Sequence, residues 1–135
     1  MKLVLLTLAV ALLMIGCRPK ARVDSNVTAA TAEARASMTN FISVLQSPGS
    51  NRTSFRVLAS FPTDSPLRKE ALWVNVWKYD NGVFAGAISK GNPDIDSTGL
   101  TNGKPVAVAA SNVWDWSYVD HRKGTIGNFI MRTQR

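Results

Sequence analysis

Two runs rich in β-branched and aromatic residues, Ala71 to Tyr79 and Val83 to Ser89, are joined through Asp80-Asn81-Gly82. Asn-Gly takes the positive φ angles of a tight reversal at little steric cost, so the pair reads as a β-hairpin. Leu72, Val74 and Val76 alternate with Trp73, Asn75, Trp77 and Tyr79 along the first run. With both faces largely apolar, that strand is expected in the middle of a sheet. A hairpin of this kind near the centre of the chain commits it to antiparallel pairing.

The flanking segments extend the pattern. Phe55 to Phe61 reads as a strand and is followed by the turn-rich Pro62-Thr63-Asp64-Ser65-Pro66. Residues 90–104 carry the Gly, Asn, Asp and Pro of a long loop, and Pro105 to Ala110 is a short strand. Trp114 to Tyr118 and Ile126 to Met131 are expected to pair around the loop from Asp120 to Gly124. Ahead of the strands, Ala30, Ala34, Met38, Phe41, Ile42 and Leu45 recur at three- and four-residue spacings, which predicts one helix from Thr28 to about Gln46. Ser47-Pro48-Gly49 ends it. The expected architecture is α+β: an N-terminal helix packed on a curved, mainly antiparallel sheet or small open barrel of five to six strands.

The N-terminus carries a different message. Lys2 is followed by an apolar run from Leu3 to Gly16 and then by Cys17, the only cysteine of the chain. A positive start, a short hydrophobic stretch and a small residue at the boundary form a secretory signal, and the stretch falls below the ~20 residues of a membrane-spanning helix. Met14-Ile15-Gly16-Cys17 resembles the bacterial lipobox, with Met14 in place of the usual Leu. The expected organisation is a lipoprotein signal peptide over 1–17, a polar tether over 18–27 and one domain over 28–135. Lipid on Cys17 would hold the protein at the cell envelope. Arg18 rather than Asp after the cysteine favours the outer membrane, facing the periplasm, in a Gram-negative cell.

The formal charge of +7 over 135 residues is compatible with anionic surfaces. Arg18, Lys20 and Arg22 cluster beside the proposed anchor, while the other basic residues are scattered without the stripe of a nucleic-acid binder. No nucleic-acid partner is expected. Beyond Cys17 the chain has no thiol, so the domain must be stable without disulfides.

Catalytic and metal-binding patterns are sparse. His121, the only histidine, lies in the charged stretch Asp120-His121-Arg122-Lys123 and reads as an exposed loop residue. Asp94-Ile95-Asp96-Ser97-Thr98-Gly99 echoes the start of a calcium loop, but Pro105 stands where its closing Glu belongs, so a polar turn is expected. Zinc spacing is absent, and neither a metal nor a cofactor is expected. Glu70 and Asp115 are the acids set among aromatics, with Asp115 expected to serve as a structural polar anchor. The remaining candidate is an aromatic binding face formed by Trp73, Trp77, Tyr79, Trp114, Trp116 and Tyr118, with core packing as the alternative for each.

Glu70-Ala71-Leu72-Trp73-Val74-Asn75-Val76 is followed in order by Phe84-Ala85-Gly86-Ala87-Ile88, Gly103, Asp115-Trp116 and Gly127-Asn128-Phe129-Ile130-Met131-Arg132. This succession, over about residues 30–133, resembles the YegJ-like family, the bacterial domain of unknown function 2314. Its motif positions fall here on Glu70, Trp73, Gly86, Gly103, Asp115, Trp116 and Gly127. Ala71, Leu58 and Asn128 replace the His, Lys and second Gly that the family commonly carries, which argues against an activity needing that His or Lys. The resemblance implies a compact α+β domain. The leading expectation for function is a non-enzymatic interaction module with a protein or cell-wall partner. An immunity-type protein neutralising a toxin is the alternative, and a hydrolase using Glu70 or Asp115 ranks below both.

Overall fold

The computed structural model describes residues 21–93 and 95–135. The expected signal segment, Cys17 and the first part of the expected tether lie outside the described residues, as does Asp94. In chain order the elements are α1 (Ala21–Ala36), α2 (Met38–Gln46), β1 (Arg52–Pro62), β2 (Lys69–Asp80), β3 (Val83–Ile88), β4 (Pro105–Ala109), β5 (Val113–Asp120), β6 (Gly124–Gly127) and α3 (Phe129–Arg132). The strands form one antiparallel open sheet of order β4-β3-β2-β1-β5-β6. The protein is therefore α+β, with β1 and β2 at the sheet centre and β4 and β6 as its edges.

The hairpin forms as its residues dictate. Asn81 and Gly82 take φ of 47° and 84°, and Asp80 pairs with Val83 across the turn. Leu72, Val74 and Val76 are buried on one face of β2, joined there by Val57 and Ala59 of β1. Alternation then fails at one point. Val76 pairs with Gly86 but Lys78 pairs with Ala85, so Trp77 is the extra residue of a β-bulge.

The helical region differs from the periodic reading. Helix begins at Ala21 rather than Thr28, within the stretch expected as a tether: the polar Arg22, Asp24, Ser25 and Asn26 mask the periodicity there, although Val27 packs against the core. It is also divided at Ser37, whose hydroxyl donates to the carbonyls of Glu33 at 2.8 Å and Ala34 at 3.2 Å. A serine side chain that bonds back to the preceding turn competes with the helical ladder and bends it.

Ala30, Ala34, Met38, Phe41 and Leu45 belong to the same buried cluster as the strand residues. Phe41, fully buried, is stacked against Trp116 with ring centroids 5.1 Å apart and lies 5.8 Å from the Phe84 ring. The Trp116 indole N–H donates to the Ala34 carbonyl at 2.9 Å, fastening a helix to β5 through a buried bond.

The last segment is not the strand expected over Ile126 to Met131. Pairing ends at Gly127, and Phe129–Arg132 forms a single helical turn. Asn128 takes φ 59°, a left-handed conformation that asparagine tolerates and that turns the chain out of the sheet. The buried carboxylate of Asp115 holds the new direction.

Candidate functional site

Asp115 is completely buried, and its carboxylate accepts three backbone N–H groups. Trp116 and Phe129 donate to Oδ1 at 2.8 and 3.1 Å, and Ile130 donates to Oδ2 at 2.9 Å. Two of these are the opening N–H groups of α3, which have no partner within the helix. Burial raises the carboxyl pKa above its ordinary value, while the bonds from Ile130, Phe129 and Trp116 and the charge of Arg132 pull it back down. Asp115 is thus committed to holding the C-terminal turn, the role its sequence context suggested.

Glu70 stands at the start of β2 opposite Phe61 and accepts from Arg68 Nε at 2.6 Å. It belongs to β2 and Asp115 to β5, with β1 between them. His121 is exposed beyond the end of β5, its Nε2 3.4 Å from Thr53 Oγ1. Among the described residues no three His, Cys, Asp or Glu gather in the manner of a metal site. Asp96-Ser97-Thr98 is one 3₁₀ turn, closed by the Thr98 hydroxyl donating to the Ile95 carbonyl.

The six aromatic candidates do not share one face. Trp73 and Trp77 alternate with the buried residues of β2 and stand on the opposite side of the sheet. Tyr79 belongs to the other side. The bulge at Trp77 shifts the alternation by one, so Tyr79 pairs with Phe84 and packs against its ring at 4.9 Å. Trp116 and Tyr118 stack at 6.1 Å in the core around Phe41. Trp114 is half-buried where α1 passes β5, lining a hollow with Val27, Thr28, Thr31 and Arg35. Strand periodicity alone cannot register a bulge, so it places Tyr79 on the face of Trp73.

What remains on the face away from the helices is a smaller set. Trp77 is 61% exposed, the most exposed aromatic side chain among the described residues. Trp73 is half-buried beneath the Arg56 guanidinium, 5.0 Å from its ring centroid. Asn75, exposed between the two tryptophans, pairs with Arg56 on one side and Ala87 on the other. An open concavity of about 600 Å³ is lined by Arg56 and Asn75 together with Ser54, Ser89 and Val119 among others. Ala71, Ala85, Ala87 and Ala107 occupy neighbouring positions on this face by alternation, and Lys78 stands beside Trp77 opposite Ala85. Such an arrangement offers an aromatic platform beside amide and guanidinium hydrogen-bonding groups.

Two residues that sequence reasoning passed over support this face. The buried Asn92 side chain accepts from the Trp73 N–H at 2.7 Å and donates to the Trp73 and Ser89 carbonyls at 3.1 and 2.8 Å. Its amide acts as a surrogate peptide group, fixing Trp73 where β3 has ended. Arg56 was hidden because its partner is on another strand. Nothing local marks either residue.

The glycines at the motif positions answer to different demands. A Cβ on Gly86 would collide with the Asn75 carbonyl of β2. Gly127 combines φ +84° with the Trp116 ring and carbonyl directly over its Cα. Gly103 needs only its φ of +79°, in the turn whose N–H donates to the Ile88 carbonyl at 2.8 Å.

The architecture defines an α+β domain with one sheet face committed to a core and Trp77 exposed on the other. Residues 24–135 match the family model described as an uncharacterized protein conserved in bacteria (DUF2314). The chain belongs to that family. No curated protein and no solved structure matches it.

Proposed function

We propose that this protein is a non-enzymatic interaction module, held at the cell envelope through a lipid on Cys17, which engages a protein or wall polymer with the open face of its sheet. The observation that carries the reading is Trp77, 61% exposed beside Trp73, Arg56 and Asn75. A large aromatic left in water on a sheet face contributes little to the core, whereas an exposed Trp on the same face as an Arg-covered Trp has the composition of an interface anchor. The commitment of Asp115 to α3 and of Glu70 to Arg68 supports binding over hydrolysis. In this reading the helical layer closes one face so that the other can be presented outward, and the lipid supplies the address.

Photo-cross-linking from position 75 in the full chain, in envelope preparations, tests the proposal. One dominant adduct, lost when Trp77→Ala is added to the same chain, is the expected result. An adduct pattern indifferent to Trp77→Ala and Trp73→Ala, with folding intact, would overturn it.

A further inference from the structure

At one end of the sheet, the turn between α2 and β1 closes on the turn between β5 and β6. The His121 N–H donates to the Asn51 carbonyl at 2.9 Å, joining the two turns. Asp120 braces them from within. Its Oδ1 accepts the backbone N–H groups of Arg122 and Lys123 at 2.9 and 3.2 Å, and its Oδ2 lies 3.4 Å from Arg52 Nε. Between the turns is a cleft of about 310 Å³, lined by Pro48 to Asn51 and by Arg52, Asp120, Arg122 and Lys123.

The α2–β1 turn and Arg52 line one side of the cleft, and Asp120, Arg122 and Lys123 line the other. The guanidinium of Arg122 and the ammonium of Lys123 are exposed and make no ion pair among the described residues. Three cations against one carboxylate leave two uncompensated positive charges in the lining. A carboxylate ligand would cancel one of them. A phosphate monoester carries about −1.5 to −2 at neutral pH and presents three strong acceptor oxygens. Arg and Lys donors bind such a group through short, charge-assisted hydrogen bonds. The volume lies at the lower end of the roughly 300–1,000 Å³ of ligand sites, which suits a single head group.

We propose that this cleft binds a phosphate monoester group, borne either by a soluble phosphoester or by an anionic lipid head group. The site is built from other residues than Trp73, Trp77, Arg56 and Asn75, so it stands whether or not the open face binds a partner.

The test is a titration of the full chain, held in nonionic detergent, with glycerol 3-phosphate while the backbone amide resonances of Asn51, Arg122 and Lys123 are followed. A saturable shift is expected, with acetate needing at least about tenfold higher concentration. Arg122→Gln/Lys123→Gln should raise the dissociation constant about tenfold or more while leaving the Phe129 and Ile130 amides in place, because the turn is held by backbone N–H groups. Each single variant should fall between. A parallel measurement in nanodiscs compares phosphatidate with phosphatidylcholine. Shifts at the same amides with phosphatidate assign a lipid source, and shifts with glycerol 3-phosphate alone assign a soluble one. No saturable shift with either phosphate, or shifts that persist in the double variant, would overturn the proposal.

Discussion

The carboxylate of Asp115 on β5 accepts the N–H of Ile130 at 2.9 Å, tying the middle of a strand to the helical turn that ends the chain. Phe129 and Trp116 donate to the same group. Replacing Asp115 with Ala leaves three buried N–H groups without an acceptor, each costing roughly 1–3 kcal/mol. We expect Asp115→Ala to lose about 3 kcal/mol or more in urea unfolding, with Asp115→Asn losing less because one acceptor oxygen survives. Equal losses for the two variants would show that shape rather than hydrogen bonding is what matters there.

Asp120 titrates in the opposite direction. The N–H of Arg122 foremost, with Lys123 and Arg52 adding to it, holds its carboxyl below the ordinary 3.8. A carboxylate whose folded pKa is depressed contributes stability that is present above the unfolded value and lost as pH falls through the folded one. The stability gap between the native chain and Asp120→Asn should be flat above about pH 5 and shrink as the solution is acidified below about pH 4. Asp115, shifted upward, acts with the reverse sign, but it is common to both proteins and cancels in the difference. A gap that widens on acidification would contradict the assignment.

Two glycines at positive φ separate backbone strain from steric collision. Gly103→Ala meets open space, so it should cost only the left-handed penalty of about 1–2 kcal/mol. At Gly127 the same substitution also drives a Cβ to 2.6 Å from Trp116 Cε3. The loss there should be larger, about 3 kcal/mol or more, since backbone and a packed indole must both move. Thermal unfolding of the two variants side by side gives the comparison.

The two faces of the sheet make contrasting predictions for aromatic truncation. Phe41 sits among Trp116, Phe84, Phe55 and Tyr118, and Phe41→Ala should cost about 3–5 kcal/mol. Trp77→Ala should change stability by no more than about 0.5 kcal/mol, as exposed positions do. A large loss at Trp77 would assign it to packing and remove the anchor of the proposed interface.

The lipid anchor is checked in cells. Labelled palmitate should enter the protein and sediment with membranes, and Cys17→Ser should abolish both the label and the sedimentation. Retained membrane association without label would point to the apolar segment from Leu3 to Gly16 as the anchor instead.

The elements whose information is local were legible in the amino-acid order. Asn81-Gly82 specified the hairpin because a two-residue reversal depends on φ at those two residues alone. Leu72, Val74 and Val76 announced a buried face because strand alternation is a property of a single segment, and Phe41 and Leu45 did the same for a helix. The ordered motif from Glu70 to Arg132 placed the chain in its family. Other features depend on partners distant in the chain. Trp77 became a bulge through its register with Gly86 and Ala85, and that one-residue shift sent Tyr79 to the opposite face from Trp73. Ile126 to Met131 looked like a strand because apolar residues there suit either conformation. A carboxylate on β5 and the left-handed Asn128 decided for a helical turn. Asn92, Arg56 and the cleft around Asp120 have no local signature at all. Local propensity and periodicity determined which segments are strands and helices, whereas pairing register and long-range hydrogen bonds decided which side chains meet and which are left facing water.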